Sequence, residues 1–303
     1  MPKAKTKAKP QGDLIITPRS DIFMASLWSN PKNEHLLRSF INGVLLDNGM
    51  TPITKATVLN PYNIKQFAVD KSIVLDVRVV DENKRIFNIE IQIVPHTGFA
   101  NRVLHYWADT YSSQLRRGDQ YSELNPVISI IVTEFDMFPE LKNFHVVFRA
   151  TADENPKVRL SEHFQIHILR LSRVLKGQWE NLLNVDKGLQ DWAIFWVHGA
   201  DKTEEEMSVL VKDNPMILEA QRELKLFSSD ETNRELARSR QRFIEDAVIL
   251  LSSERAEGRV EGRVEGRVEE KVDVACRMIS KGYDTAVIAD MTGLSEGNIE
   301  QLR

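Results

Sequence analysis

The sequence predicts an α/β fold with a mixed β-sheet, on three observations. Apolar residues first recur at helical spacing, and then alternate with polar residues in β-like runs. A second helical stretch separates these runs from two further, strongly apolar ones. Past about Val174 the strand signals fade and helical patterns continue. The order helix, strands, helix, strands is typical of a sheet flanked by helices, here followed by a C-terminal helical region.

The first helical stretch begins after Ser20 or Asp21, either of which can cap a helix, and is interrupted near Asn30-Pro31. A later helix is predicted from about Phe99 to Leu115. A polar break separates the second strand from the third and predicts a hairpin. The predicted strands are 56–59, 73–80, 86–94, 127–133 and 145–150.

Composition divides the chain into five segments. A Glu-Gly-Arg-Val motif occurs three times between residues 257 and 268. A period of four residues drifts around a helix of 3.6 residues per turn, and each glycine weakens the helix by roughly 1 kcal/mol, so this stretch is a charged spacer and not a core. The predicted segments are a basic tail (1–12), an α/β domain (13–173), a helical lobe (174–252), the spacer (253–271) and a helix-turn-helix-like unit (272–303).

Overall composition excludes several classes of protein. The 303 residues are 42% hydrophobic, with no run of eighteen apolar residues, which predicts no membrane span. The single cysteine, Cys276, excludes an internal disulfide framework and a cysteine-rich zinc site and is typical of a cytoplasmic protein. With a net charge of −4, any DNA-binding surface has to be local.

The predicted hairpin has one apolar and one polar face if its turn is centred on Asn83. The middle of the polar face then carries Asp76 opposite Glu90 and Arg78 opposite Asn88, because successive side chains alternate across a sheet. A slip of one residue would put Asp76 and Glu90 on opposite faces, so the hydrophobic pattern selects this parity, and the turn centre gives the register. The apolar face pairs Leu75 with Ile91, Val77 with Ile89 and Val79 with Phe87.

Two directly opposed carboxylates have Cβ atoms about 4.5–5.5 Å apart, and their repulsion destabilises a sheet. A raised pKa of one acid, a cationic neighbour such as Arg78, or a bound divalent cation would each offset that repulsion. Hard oxygen ligands without cysteine favour Mg²⁺, with Mn²⁺ as an alternative. Gln92 projects from the same face. A metal held by Asp76 and Glu90 would suit phosphodiester hydrolysis, because it binds phosphate oxygen and activates water.

The hairpin motif is similar to that of a known family. Asp76 is followed, after thirteen residues, by Glu90-Ile91-Gln92. This pattern resembles the recombination-promoting nuclease/putative transposase family, a branch of the PD-(D/E)XK superfamily. Glu-Gly-Arg repeats near the C-terminus are also common among members of that family. Downstream residues that share the resemblance are Arg102, Tyr106, Tyr111, Gln114, Leu115, Gly118, Tyr121 and Asn125-Pro126-Val127-Ile128.

The resemblance implies a restriction-endonuclease-like core that binds Mg²⁺ and cuts duplex DNA. It implies metal ligation by Asp76, Glu90 and the backbone carbonyl of Ile91, and catalysis by these two acids with Gln92. Glutamine stands where the superfamily usually has lysine, and it cannot supply a positive charge. An acidic residue is expected near Ile168-Leu169-Arg170, where none occurs.

Other residues are candidates for assisting roles. Asp21 lies where superfamily members often carry an acid on the first helix. Arg102, Tyr106 and Gln114 share one side of the predicted helix, which suits either a face turned to the metal and DNA or the satisfaction of buried polar groups. His96 and His105 are close in sequence but are interpreted as structural, and the tryptophan-rich stretch between Trp179 and Trp196 is interpreted as packing.

Three functional hypotheses follow. The leading one is a metal-dependent DNA endonuclease with little sequence specificity that promotes recombination or mobile-element movement. The alternative is a catalytically inactive DNA-binding or assembly protein that retains the nuclease fold. An RNase H-type transposase ranks last because its separated third carboxylate is not identifiable. DNA is the predicted partner, and a homodimer is a further option. The C-terminal unit is poor in basic residues, which favours dimerisation or capping over DNA reading.

Overall fold

The computed structural model describes residues 15–60, 76–95, 98–175 and 177–303, without the side chains of residues 76, 247, 251–252, 254–262 and 264–265. The chain divides into two compact units, Met1–Gln241 and Arg242–Arg303. Over the described ranges, no helix is long and apolar enough to span a bilayer.

The first unit contains a sheet and the helices that cover it. Its strands are β1 (Thr57–Val58), β2 (Asp76–Val80), β3 (Ile86–Gln92), β4 (Val127–Thr133), β5 (His145–Arg149) and β6 (Phe164–Arg170). Its helices are α1 (Asp21–Ser29), α2 (Glu34–Asp47), α3 (Phe99–Ser112), α4 (Lys187–His198), α5 (Glu204–Val211) and α6 (Pro215–Ser229). The remaining helices are α7 (Glu231–Ser280), which runs from the first unit into the second, α8 (Thr285–Thr292) and α9 (Glu296–Glu300).

The sheet has six strands in the order β1-β2-β3-β4-β6-β5. Strand β3 pairs in parallel with β4, and β4 with β6, while the other three pairs are antiparallel. The predicted mixed sheet flanked by helices is therefore confirmed. The predicted helix break is confirmed too, because α1 ends at Ser29 and Pro31–Asn33 forms a 3-10 turn before α2.

The hairpin of β2 and β3 has the predicted register. Its turn is closed by Asp81, whose Oδ1 accepts hydrogen bonds from the amides of Asn83 and Arg85 at 2.9 and 2.8 Å. Asp76 pairs with Glu90, and the apolar and polar sets of the two strands stay separate. The first residues of the predicted second strand, 73–75, lie outside the described residues.

The two faces of the sheet are covered by different helices. The face that carries Val77, Val79, Phe87 and Ile89 forms a single hydrophobic core with α1, α2, α4, α5 and α6. The opposite face packs Ile131, Ile166 and Ile168 against Phe99 and Val103 of α3. Since Glu90 lies beside Ile131 in the sheet, the polar face of the hairpin points towards α3.

Helices also follow Val174, in the stretch 174–252 for which the sequence predicts a helical lobe. The predicted tryptophan packing is observed, since Trp192 and Trp196 are fully buried. Their cluster, however, also contains residues of α1, α2 and the sheet, and it continues to Leu236 and Ala237 of α7. The apolar face of the hairpin and these helices cover each other, and the first compact unit extends to Gln241.

Strand β6 ends on a buried arginine where an acid was expected. The guanidinium of Arg170 donates hydrogen bonds to the carbonyls of Phe138 and Leu141, both at 2.6 Å, and lies 3.3 Å from Asp136. Burial lowers its pKa, and the nearby Asp136 opposes that effect. Arg170 therefore anchors the loop after β4, although the sheet register aligns it with Thr133 and Gln92 on the side of Glu90.

A hydrogen-bonded chain of side chains joins α2 to the far edge of the sheet. Asp47, at the end of α2, accepts from Nδ1 of His145 at 2.5 Å, and Nε2 of His145 lies 2.9 Å from Nδ1 of His167. The other oxygen of Asp47 accepts from the amide of Asp186, the N-cap of α4, at 2.6 Å. These three side chains connect four elements through buried polar contacts.

The second unit has its own small core. Ala275 and Met278 of α7 pack with Ile288 of α8 and Ile299 of α9, and all four are buried. Gly293 ends α8 with a φ of +67°, a left-handed conformation that favours glycine. The helix-turn-helix-like unit thus has its turn at Thr292-Gly293-Leu294, and the Glu-Gly-Arg-Val repeats form part of the continuous helix α7.

Candidate active site

The acidic pair lies on neighbouring strands at the face covered by α3. Asp76 stands directly opposite Glu90 in the register of β2 and β3. Glu90 is only 7% exposed, so its carboxylate is costly to bury unless a charged or hydrogen-bonding partner is close. The carboxyl group of Asp76 lies outside the described side chains, and its role stays a prediction.

Arg102 of α3 is the cationic partner of Glu90. Its Nη2 donates a hydrogen bond to Oε1 of Glu90 and another, of 2.7 Å, to Oε1 of Gln92. The guanidinium also lies over the rings of Phe99 and Tyr106, with its carbon 4.8 and 5.9 Å from the two ring centres. The positive charge is thus held between two residues of the predicted site.

Both ends of the Gln92 amide are engaged. Its oxygen accepts from Arg102, and its nitrogen donates to the carbonyl of Val94 at 2.7 Å. The amide is therefore held in one orientation, with its oxygen towards the guanidinium. Ile91, between Glu90 and Gln92, packs its side chain against the core on the other face of the sheet.

A small cleft beside Glu90 opens between the sheet and α3. It is bordered by Arg78, Asn88, Tyr106 and Ser129, among others. Arg78 lies 3.9 Å from Asp109, and Asn88 donates to Thr110 at 2.9 Å. Arg102, Tyr106 and Thr110 follow each other at intervals of four residues, which places them on one side of α3. Ser129 was missed by the sequence analysis, although a serine inside the apolar run of β4 was the available signal.

Two predicted assisting residues have other partners. Asp21, on α1, accepts hydrogen bonds from Arg240 of α7, with Nη2 at 2.6 Å and Nε at 2.7 Å. Helix α1 packs on the apolar face of the sheet, opposite the face of Glu90. Gln114 accepts from the amide of Asn125 at 2.9 Å and donates to its carbonyl at 3.1 Å. The structure therefore groups Arg102 and Tyr106 with Glu90 and Gln92, and groups neither Asp21 nor Gln114 with them.

The two histidines near the site in sequence are His96 and His105. His96 lies outside the described residues. His105 is exposed on α3, where its ring centre is 5.9 Å from that of Tyr106. Among the side chains that the structure describes, no three His, Cys, Asp or Glu residues come together as a metal site, and Asp76 is not among those side chains.

The donor set at this face fits a hard divalent cation. A carboxylate at Glu90, a second acid opposite it in the register and the neighbouring peptide carbonyl are all oxygen donors, which Mg²⁺ and Mn²⁺ prefer. One guanidinium beside two acids leaves the group with a net negative charge when both acids are ionised. The chain's own residues at this position therefore suit a cation bound beside a phosphate.

Comparison with known families gives two matches. A model of the PD-(D/E)XK nuclease family transposase matches residues 18–254, and one of the C-terminal helix-turn-helix domain of the Rpn/YhgA-like nuclease family matches residues 268–303. No curated protein and no solved structure matches the chain. The first match includes the hairpin and α3, so it contains every residue grouped around Glu90.

Proposed function

Because the chain belongs to the PD-(D/E)XK nuclease family of transposases, we propose that it is a metal-dependent endonuclease that hydrolyses DNA with little sequence specificity. The observation that carries the proposal is Asp76 opposite Glu90 on the sheet face beside Arg102. A nuclease domain followed by a helix-turn-helix domain implies DNA as the partner.

Asp76, Glu90 and the Ile91 carbonyl would hold Mg²⁺ or Mn²⁺. Such an ion supplies a Lewis acid for a phosphate oxygen and lowers the pKa of bound water. Glu90 is buried and fixed by Arg102, so its carboxylate is oriented before DNA binds. Tyr106 and Arg78 border the cleft beside it, where a phosphate would enter.

Arg102 supplies the positive charge that Gln92 lacks. Its guanidinium is bonded to the oxygen of Gln92, so the charge reaches the neighbourhood of the usual lysine from α3 instead of from β3. A cation placed there stabilises the negative charge that develops on the attacked phosphate. Gln92 then has a positioning role, because it holds Arg102 in place.

The protein should nick or linearise supercoiled plasmid in the presence of Mg²⁺ or Mn²⁺, and should leave it intact with EDTA. Gel electrophoresis of timed samples measures the reaction. Calorimetric titration should also detect binding of the same ions to the DNA-free protein. Absence of metal binding at millimolar concentration would favour the alternative, an inactive DNA-binding or assembly protein. The engaged amide of Gln92 is compatible with an active and with an inactive protein.

Moving the positive charge tests the role of Arg102. We expect Arg102→Leu to reduce the rate of plasmid cleavage by about 10- to 150-fold, the loss of one hydrogen bond to a charged group. Adding Gln92→Lys to Arg102→Leu should restore most of the rate, since lysine then provides the charge from β3. The control is the double variant Gln92→Lys/Glu90→Gln. It should stay inactive, because a lysine at position 92 cannot replace a lost metal ligand. Equal cleavage by the wild type and Arg102→Leu would contradict this role.

The biological setting follows from the family and composition. We place the enzyme in the cytoplasm because its single cysteine suits a reducing compartment. Promotion of DNA recombination or mobile-element movement is the expected role of a nuclease of this family. A homodimer would be formed through the C-terminal unit, whose residues 268–303 contain four Lys and Arg but seven Asp and Glu.

A further inference from the structure

An exposed loop follows the helix that carries Arg102. Residues 116–123, between α3 and β4, are all exposed, and the side chain of Tyr121 is 86% exposed. Arg116 and Arg117 lie in the same loop, and neither guanidinium has an ion-pair partner among the described residues. Two unpaired cations therefore stand beside a large aromatic ring that packs on nothing else in the described part of the chain.

The loop has a defined shape. The amide of Asp119 donates to the carbonyl of Arg116 at 3.1 Å, which closes a turn around Arg117 and Gly118. Gly118 has a φ of +103°, in the region that favours glycine. Asp119 also accepts from the amide of Arg116 at 2.7 Å. The two arginines are thus presented by a closed turn and not by an extended chain.

The ends of the loop are tied together at the start of β4. Gln114 holds the amide and carbonyl of Asn125, just before β4. The acids of the loop are engaged locally, because Asp119 bonds to Arg116 and Glu123 accepts from the amide of Gln120 at 3.4 Å. Among the described residues, the guanidinium groups of Arg116 and Arg117 are in no ion pair with these acids and remain available to phosphates.

The distance between the loop and the acidic pair matches a short length of DNA. The ten residues from Arg102 to Ser112 of α3 span about 15 Å, at 1.5 Å per residue. At a rise of about 3.4 Å per nucleotide, that is a separation of about four nucleotides along one strand. A strand cut beside Glu90 would reach the loop.

We propose that this loop binds the DNA substrate, with Arg116 and Arg117 on phosphates and Tyr121 stacked on an unpaired base. The inference rests on the proposed nuclease function and narrows its substrate to DNA that carries a single-stranded segment near the cut. Arginine side chains bind phosphates whatever the DNA sequence. An exposed aromatic ring can stack only on a base that is not paired in the double helix. An acidic protein partner would use the arginines but gain little from stacking on Tyr121.

Fluorescence anisotropy in EDTA tests the inference without cleavage. The probes are a blunt duplex and the same duplex with a ten-nucleotide single-stranded tail. We expect Tyr121→Ala to weaken binding of the tailed DNA by about 5- to 150-fold and to leave the blunt duplex within about twofold. Tyr121→Phe keeps the ring and should bind as the wild type does.

The arginines should act on both probes alike. Arg116→Ala/Arg117→Ala should weaken both, and should reduce the slope of log K against log salt by about 1.8. The control is Arg222→Ala/Lys225→Ala, which removes the same charge from exposed positions on α6 and should change neither slope nor affinity. All these positions are exposed, so circular dichroism should report unchanged folding.

Two outcomes would overturn the inference. One is equal binding of the tailed DNA by the wild type and Tyr121→Ala, and the other is an equal loss on both probes with Tyr121→Ala. An unchanged salt slope in the double arginine variant would show that Arg116 and Arg117 do not contact phosphates. If Tyr121→Ala weakens binding of the tailed DNA but the wild type never cuts plasmid, only the proposed nuclease function is wrong. If the wild type cuts plasmid but Tyr121→Ala binds the tailed DNA normally, only this inference is wrong.

Discussion

Glu90→Gln and Asp76→Asn are each expected to reduce plasmid cleavage by about a thousandfold. Both replacements keep the shape of the side chain but remove the charge of a metal ligand, and loss of a direct ligand should exceed the tenfold to hundredfold effect typical of residues that only support ligands. Calorimetry should show weaker Mg²⁺ and Mn²⁺ binding by both variants. Because Asp76 faces Glu90 across the hairpin, neither acid should compensate for the other.

Folding has to be measured alongside cleavage. Glu90→Gln leaves the guanidinium of Arg102 without its carboxylate, so we expect a decrease of about 1–3 kcal/mol in the free energy of unfolding. Asp201→Asn removes an exposed carboxylate elsewhere and serves as the control, with cleavage and stability both near wild type. Full cleavage by folded Glu90→Gln and Asp76→Asn would remove the acidic pair from the mechanism.

The hairpin register could be predicted from the sequence because burial of one face fixes which side chains of the two strands point into the core. Val77, Val79, Phe87 and Ile89 must point into the same core, and side chains alternate with a period of two. That parity, together with a turn centred on Asn83, places residue 76 opposite Glu90 without any knowledge of the rest of the fold. The family resemblance depends on the same residues, and the match to residues 18–254 confirms it.

Contacts between distant elements could not be predicted in the same way. The spacing of Arg102 and Gln114 puts both on one side of the predicted helix from about Phe99 to Leu115. It does not show that Arg102 reaches Glu90, or that α3 ends at Ser112 and Gln114 bonds to Asn125. Helical periodicity after Val174 shows that a helix has an apolar side, not which surface that side covers. Arg170 fits no local pattern, because its partners lie in a loop about thirty residues away.

The buried chain of Asp47, His145 and His167 is a second point where a single change should have a large effect. We expect Asp47→Ala to lower the free energy of unfolding by about 1–3 kcal/mol, the usual cost of leaving a buried hydrogen-bonding group without its partner. The change also leaves the amide of Asp186 without its acceptor at the start of α4. Urea unfolding followed by circular dichroism at pH 7.5 measures the loss, with Asp201→Ala as an exposed control. A loss below 1 kcal/mol would contradict it.

The pH dependence of the free energy of unfolding tests whether His167 stays unprotonated in the folded protein. Burial, with the nearby His145 and Arg149, holds the pKa of His167 well below its usual value of 6.5. The unfolded chain therefore binds a proton below about pH 6.5 that the folded protein does not take up, so stability decreases as pH falls. Between pH 7.5 and 5.5 this group should cost the wild type about 1.4 kcal/mol. His167→Gln lacks the titrating group, so its own loss over that range should be smaller by the same amount, whatever its stability at pH 7.5. Because Gln removes the titration and not the burial, equal pH slopes for the two proteins would mean that His167 is protonated in the folded state.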